Sequence, residues 1–150
     1  MWSVCDRWNI SGGIGVNVVP ELMEVEIDIR VRTMEDFGRM MTKMKEVTPF
    51  HPEIRLHMKG YMNRPPMERT DAIGSLYHLA QLVAHEELDL HLEETGTGGV
   101  SDGNFIAACG TPTLDGLGAR GDGAHAVHEH VRVEEMQRRA VLLAGIMERL

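Results

Sequence analysis

The chain has 150 residues, 43% of them hydrophobic and 25% charged, the composition of an ordinary globular protein of one domain or parts of two. A formal net charge of −8 argues against a nucleic-acid partner, because phosphate recognition needs clustered lysine and arginine. No apolar run approaches the roughly 20 residues that cross a bilayer, so no membrane span is expected.

In chain order, Met1 to Ile10 alternates weakly and reads as a strand. The same residues, with Asp6 among them and no long apolar core, are not read as a signal peptide. Ser11-Gly12-Gly13 breaks the alternation, and Gly15 precedes Val16-Asn17-Val18-Val19-Pro20, a turn in which Asn17 and Pro20 can shape the backbone. Met23 to Arg32 then alternates without a fault. Met23, Val25, Ile27, Ile29 and Val31 face one way, and Glu24, Glu26, Asp28, Arg30 and Arg32 face the other, which predicts a half-buried strand with one wet face. Thr33 stands as a helix cap, with Asp36 three residues on as in a capping box. Phe37, Met40, Met41, Met44 and Val47 follow helical spacing until Pro49 and Pro52. Ile54, Leu56 and Met58 alternate with Arg55, His57 and Lys59 and predict another strand; Asn63-Arg64-Pro65-Pro66 is a break and a domain boundary.

Beyond the break, Thr70 and Asp71 open a second helix with Ile73, Leu76, Tyr77, Ala80, Val83 and Ala84 as its buried stripe. Leu88, Leu90 and Leu92 predict a short strand, Ser101 or Asp102 a cap for a short helix through Phe105 to Ala108, and Thr111 to Leu114 a further strand. Glu134 to Leu150 closes the chain as a helix with Met136, Ala140, Leu143, Ala144 and Met147 inward. The first part suits an antiparallel sheet with a helix on one face, and the second suits an α/β layer structure with its loops gathered at one edge. Cys5 and Cys109 form no framework and read as reduced thiols, which implies a cytoplasmic setting.

The residues that carry chemistry concentrate between Gly96 and Val131, which holds most of the sixteen glycines and the cluster His125-Ala-Val-His128-Glu129-His130. Imidazole and carboxylate are both good zinc ligands, though a solvated polar loop has the same composition. Gly98-Gly99-Val100-Ser101-Asp102-Gly103 sets backbone N–H groups and a hydroxyl at a helix start, a place suited to a carboxylate or, equally, to a plain capped loop. Arg30 and Arg32 lie on a strand's polar face and Arg64 follows a strand, places where an arginine either sits in solvent or grips a carboxylate with two parallel bonds.

Four motifs in order give the chain a family resemblance: Gly12-Gly13 with Asn17-Val18-Val19-Pro20 and Asp28-Ile29-Arg30; Asn63-Arg64-Pro65; Gly98-Gly99-Val100-Ser101-Asp102-Gly103; and Gly123-Ala124-His125 with Glu129. Together they resemble the C-terminal half of the dizinc amidohydrolases that include acetylornithine deacetylase, succinyl-diaminopimelate desuccinylase and glutamate carboxypeptidase. The resemblance implies a mixed α+β and α/β chain. Residues 1–63 would be the later part of a ferredoxin-like lid, which serves dimerisation, and residues 64–150 the C-terminal part of a zinc-peptidase catalytic domain. It implies His125 as a metal ligand, and Asn17, Arg30, Arg64, Gly99, Val100 and Ser101 as substrate contacts. A complete family site holds two zinc ions, and its substrate is a small N-acyl amino acid or peptide. The family's other ligands, a His-x-Asp motif, a bridging Asp and a Glu-Glu pair with its general base, have no counterpart in this sequence, so the chain by itself is expected to be inactive. His128 and His130 stand where the family tends to have acidic or aromatic residues and inherit no role. The expected assembly is a homodimer. The competing reading is a non-catalytic dimerisation or binding module that lacks the metal centre.

Overall fold

The computed structural model describes residues 3–150, with side chains described from residue 9 onward. Its elements are β1 (Ser3–Gly12), β2 (Met23–Arg30), α1 (Met34–Glu46), α2 (Asp71–Leu88), α3 (Gly103–Ala108), β3 (Gly121–Asp122), β4 (His130–Val131) and α4 (Val133–Glu148). Helices with two small antiparallel sheets make this an α+β chain, and no parallel strand pair occurs among the described residues. The chain divides into two compact units, Met1–Pro66 with Thr97–Val100, and Met67–Gly96 with Ser101–Leu150.

The first unit is built on a two-stranded ribbon. β1 and β2 pair antiparallel with Ile10 opposite Val25 and Gly12 opposite Met23, and the register slips between Val4 and Trp8. The expected strand over Met1 to Ile10 is present from Ser3, while Met1 and Trp2 lie outside the described residues. β1 runs on to Gly12, and the chain breaks where Gly12 (φ 143°) and Gly13 (φ 82°) take conformations that favour glycine. β2 alternates as the sequence predicts, but its apolar face is only partly covered: Met23, Val25 and Ile27 are 47%, 49% and 44% exposed, while Ile29 and Val31 are half-buried. Period-two patterning fixes which side chains share a face, whereas burial needs a second layer over that face. α1 starts where expected, with Thr33 Oγ1 accepting the Asp36 N–H at 3.0 Å. Phe37, Met40 and Met44 are half-buried, and no described residue of this unit is fully buried. Ile54, Leu56 and Met58 form no strand and are exposed. A helix satisfies its N–H and C=O groups within itself, but a strand needs a neighbour, and this segment has none among the described residues.

The second unit has the core. α2 packs on α4, burying Ala80, Val83 and Ala84 against Leu142 and Ile146. Thr70 caps α2, its Oγ1 accepting the Ile73 N–H at 3.3 Å. A Cβ placed on Gly145 would lie 2.6 Å from Val83 Cγ1 and 2.8 Å from Glu87 Oε1, so only glycine lets the two helices approach this closely. The inward face of α4 is Leu142, Gly145 and Ile146. The expected set of Met136, Ala140, Leu143, Ala144 and Met147 is exposed, Met147 by 68%. Apolar residues surround α4 from Ala140 to Ile146, so helical spacing alone does not choose a face. The choice follows Gly145 and two arginines on the α2 side. Arg138 Nη2 donates to the Leu88 carbonyl at 3.0 Å, and Arg149 bridges Glu86 at 2.6 Å and Glu87 at 2.8 Å.

Two further expected strands are absent. Leu88 is the last residue of α2, which Asp89 ends in a left-handed turn (φ 49°), with the Leu90 N–H reaching back to the Ala84 carbonyl at 2.9 Å. Leu90 and Leu92 still lie half-buried over the core, held by Tyr77 Oη and Gln81 Nε2, which both donate to the Leu92 carbonyl. Thr111 to Leu114 is likewise unpaired, with Leu114 packed on the core.

Candidate functional site

The residues expected to act on a substrate carboxylate fall mainly in the first unit. Asn17 is exposed in the tight turn closed by the Val18 N–H and the Gly15 carbonyl at 3.3 Å. Arg64 is half-buried just before Pro65. Arg30 ends β2, and its guanidinium already has partners. Nε and Nη2 both donate to Asp28 Oδ2, at 3.2 and 2.8 Å, while Nη1 donates to the Gly98 carbonyl. Asp28 and Arg30 meet because residues two apart on a strand share a face. The Gly98 contact spans 68 positions and draws the loop Thr97–Val100 onto the end of β2. Within that loop the Gly99 N–H donates to Thr97 Oγ1 at 3.1 Å, and Val100 is exposed.

Ser101 belongs to the second unit, at the start of α3. Its N–H donates to Asn104 Oδ1 and its Oγ accepts the Gly103 N–H, each at 3.1 Å. Asp102 takes the cap position by backbone geometry, without a side-chain cap bond. Serine and asparagine therefore tie the turn into the helix reciprocally. Asn104 was not singled out by sequence reading, although its offset of three from Ser101 matches the reciprocal spacing of a capping box.

His125 sits on the hairpin formed by β3 and β4, where Asp122 pairs with His130. Glycine is required at both bends of its approach. A Cβ on Gly121 would fall 1.9 Å from the His130 carbonyl oxygen, and Gly123 has φ 74° with His128 Cδ2 2.6 Å from where a Cβ would be. His125 itself is left-handed, φ 68°, an uncommon state for a residue with a Cβ. It is held there by turn bonds from Ala126 N–H to the Gly123 carbonyl at 2.8 Å and from Glu129 N–H to the Ala126 carbonyl at 3.0 Å. Glu129 Oε2 also accepts the His125 N–H at 3.2 Å, so the glutamate's contact is to the histidine's backbone. His130 Nδ1 lies 3.0 Å from the His128 carbonyl, which fixes its proton on that nitrogen when the ring is neutral.

A tetrahedral zinc site takes three or four protein ligands. Among the described residues no three histidine, cysteine, aspartate or glutamate side chains are grouped to hold a metal ion. The donors among the described residues therefore form no such group in this structure.

An α+β chain with a glycine-rich loop held by a strand arginine, and with a histidine on a glycine hairpin, matches one class of protein throughout its length. Residues 3–149 match the family model described as peptidase family M20/M25/M40, and the chain belongs to that family. It is similar to curated proteins named succinyl-diaminopimelate desuccinylase. With that of Thioalkalivibrio sulfidiphilus (strain HL-EbGR7) it shares 31% identity over 146 residues, covering 95% of this chain and 37% of the relative. With that of Stenotrophomonas maltophilia (strain R551-3) identity is 29% over 143 residues, with the same coverage of 95% and 37%. With that of Acinetobacter baumannii (strain AYE) it is 29% over 146 residues, again 95% and 37%. The chain thus spans little more than a third of the length of these relatives. No solved structure matches it. No helix among the described residues is long and apolar enough to cross a membrane.

Proposed function

We propose that this chain is the carboxylate-gripping, single-ligand part of a metal-dependent hydrolase that cleaves the amide bond of a small N-acyl amino acid or peptide. The name shared by its relatives favours an N-succinyl amino acid as the substrate class. The observation that carries the reading is Arg30. It closes the strand that bears the Asp28-Ile29-Arg30 motif and reaches the loop that bears the Gly98-to-Gly103 motif. In this reading residues 1–63 form the lid portion and residues 64–150 the catalytic portion. Arg30 and Arg64 neutralise the substrate carboxylate, Asn17 and the Gly99, Val100 and Ser101 backbone orient it, and alignment of the amide bond follows from that grip. His125 gives one ligand through its imidazole. A bound pair of zinc ions would supply an activated water and polarise the carbonyl. The ligands that complete such a site, and the general base, come from outside this chain.

The test is release of succinate or acetate from N-succinyl and N-acetyl amino acids. The isolated chain is expected to give none with added zinc, and to retain no stoichiometric zinc after dialysis against a chelator. Zinc-dependent turnover by the pure chain, lost in His125→Ala, would show that the 150 residues hold a complete site and would overturn the single-ligand reading. Expression of the longest reading frame that contains the chain should give activity that His125→Ala and Arg30→Met both abolish.

A further inference from the structure

The guanidinium that should receive a substrate carboxylate already faces one. Asp28 Oδ2 occupies the Nε and Nη2 edge of Arg30, and the Gly98 carbonyl takes Nη1. A guanidinium offers paired N–H bonds along two edges, Nε/Nη2 and Nη1/Nη2; the Gly98 carbonyl sits on Nη1, so a carboxylate that leaves that bond made competes with Asp28 for the Nε/Nη2 edge. The Asp28–Arg30 pair is open to solvent, with side chains 44% and 28% exposed. Exposed pairs of this kind contribute little to stability, and here one oxygen accepts both bonds. A carboxylate that brought two oxygens would make the better fork. The Gly98 bond differs in kind, because it is what joins the loop Thr97–Val100 to the strand.

We infer that Asp28 is an internal stand-in for the substrate carboxylate: it holds Arg30 in its receiving pose, and the ligand binds by displacing Asp28 while the Gly98 bond stays made. Asp28 is then a specificity-determining residue. It sets the threshold a ligand must exceed, rejecting neutral ligands and weak single-oxygen acceptors while admitting carboxylates that engage both N–H groups. The inference rests on the carboxylate-grip reading of Arg30. It adds an aspartate to that site and separates two functions of the arginine, ligand exchange on one edge and loop retention on the other.

The experiment uses the full chain, titrated with N-acetyl-L-alanine and with its primary amide, and followed through the Arg30 Nε–H resonance and the backbone amides of Gly99 and Val100. Asp28→Asn keeps the size of the side chain and removes its charge, and Asp28→Ser serves if the first variant fails to fold. Removing the internal competitor is expected to tighten binding of the acid by about fivefold, the scale of an exposed charge pair. The amide, rejected by wild type, should gain weak binding in the Asp28 variants, and the Gly99 amide, which shares its peptide group with the Gly98 carbonyl, should keep its chemical shift at saturation. Equal or weaker binding of the acid by the Asp28 variants would overturn the inference, and so would the absence of saturable binding by both wild type and variants. Tighter binding accompanied by a large shift of the Gly99 amide resonance would also overturn it, because exchange would then occur at the Gly98 carbonyl bond. Arg30→Met separates the two layers. If it binds the acid as well as wild type does, the carboxylate grip itself is wrong. If it loses the acid while the Asp28 variants bind no better than wild type, the grip stands and the stand-in fails.

Discussion

The two units use similar amounts of apolar sequence and reach opposite ends. In the second unit, α2 and α4 bring Ala80, Val83, Ala84, Leu142 and Ile146 together with almost no exposure. In the first, Met23, Val25 and Ile27 share one faultless face with Ile10 across the ribbon, yet all stay exposed. The difference teaches that patterning is a necessary condition and a partner is the sufficient one. Two amphipathic helices supply each other's partner, whereas a two-stranded ribbon leaves a whole face to be covered by something else. The functional features divide along the same line. His125 and Ser101 stand in the unit with a core of its own, whereas Arg30, Arg64 and Asn17 stand on the one whose apolar face is open.

The largest effect should come from the helix contact. Leu142→Ala removes a fully buried side chain from a core of five residues and is expected to cost about 2–5 kcal/mol. That is enough to abolish cooperative unfolding of the second unit in a urea titration followed by circular dichroism. Gly145→Val tests the same contact from the other side. It forces atoms onto Val83 and Glu87 and should cost about 1–3 kcal/mol. Loss of less than about 0.5 kcal/mol in both variants, the size of an ordinary surface change, would mean that α4 is not held against α2 as described.

A middle-sized effect separates the units by their caps. Thr70→Ala and Thr33→Ala each remove a hydroxyl that accepts a helix N–H and should each cost about 1 kcal/mol locally. Thr70→Ala should lower the denaturation midpoint of the second unit. Thr33→Ala should instead show as faster amide exchange through α1, because no residue of that helix is buried in a core that would couple it to a cooperative transition.

A smaller effect tests the open face. Ile27→Ala should change stability by less than about 0.5 kcal/mol if the face stays in solvent. Exposed apolar area also promotes association, and we expect a dimer or larger species by light scattering. Ile27→Glu or Met147→Glu should then shift the population toward the monomer. A stable 16.8 kDa monomer at high concentration, with Ile27→Ala still costing more than about 2 kcal/mol, would mean that this chain covers the face itself.

Legibility followed how local each feature is. The caps at Thr33 and Thr70, the extents of α1 and α4 and the start of α2 were readable because a helix is decided by residues within four positions of one another, whereas the end of α2 was not, because Leu88 reads as part of a strand. The inward face of α4 was not readable, because Ala140 to Ile146 offers apolar residues all round and the small side chain that chooses, Gly145, carries no hydrophobic signal. Ile54–Met58, Leu88–Leu92 and Thr111–Leu114 have the spacing of strands, but a strand is a relation between two segments and each lacks its second. At the candidate site, Asp28 was within reach of sequence reading as the residue two before Arg30 on the same face. The Gly98 partner, 68 positions away, was not. The β3–β4 hairpin around His125 was not readable, because each strand is only two residues long, and the left-handed state of His125 goes with a Glu129 contact that spacing does not show.

The smallest effect concerns acid, and it again divides the units. In the first unit Asp36 has its pKa lowered, chiefly by the hydrogen bond and ion pair it receives from Arg39 and further by the Thr33 hydroxyl, against an opposing desolvation. A carboxyl whose folded pKa lies below its unfolded one contributes stability that is present above the unfolded value and is lost as pH falls through the folded value. The window is therefore below about pH 4, where an unfolded aspartate takes up its proton before Asp36 does. Protonation also removes a negative charge from the first turn of α1, where it faces the helix's positive end. The α1 amides should lose exchange protection as pH drops through that window, and Asp36→Asn should lower protection at neutral pH while flattening the acid dependence. The second unit has its conspicuous charge bonds at the other end of its chemistry, on Arg149, whose pKa is raised first by the Glu86 hydrogen bond and stays far above neutrality. The Asp36→Asn change should leave acid unfolding of α2 and α4 where it was. If it shifts both units together, they unfold as one body and the contrast between an open unit and a cored one does not survive in solution.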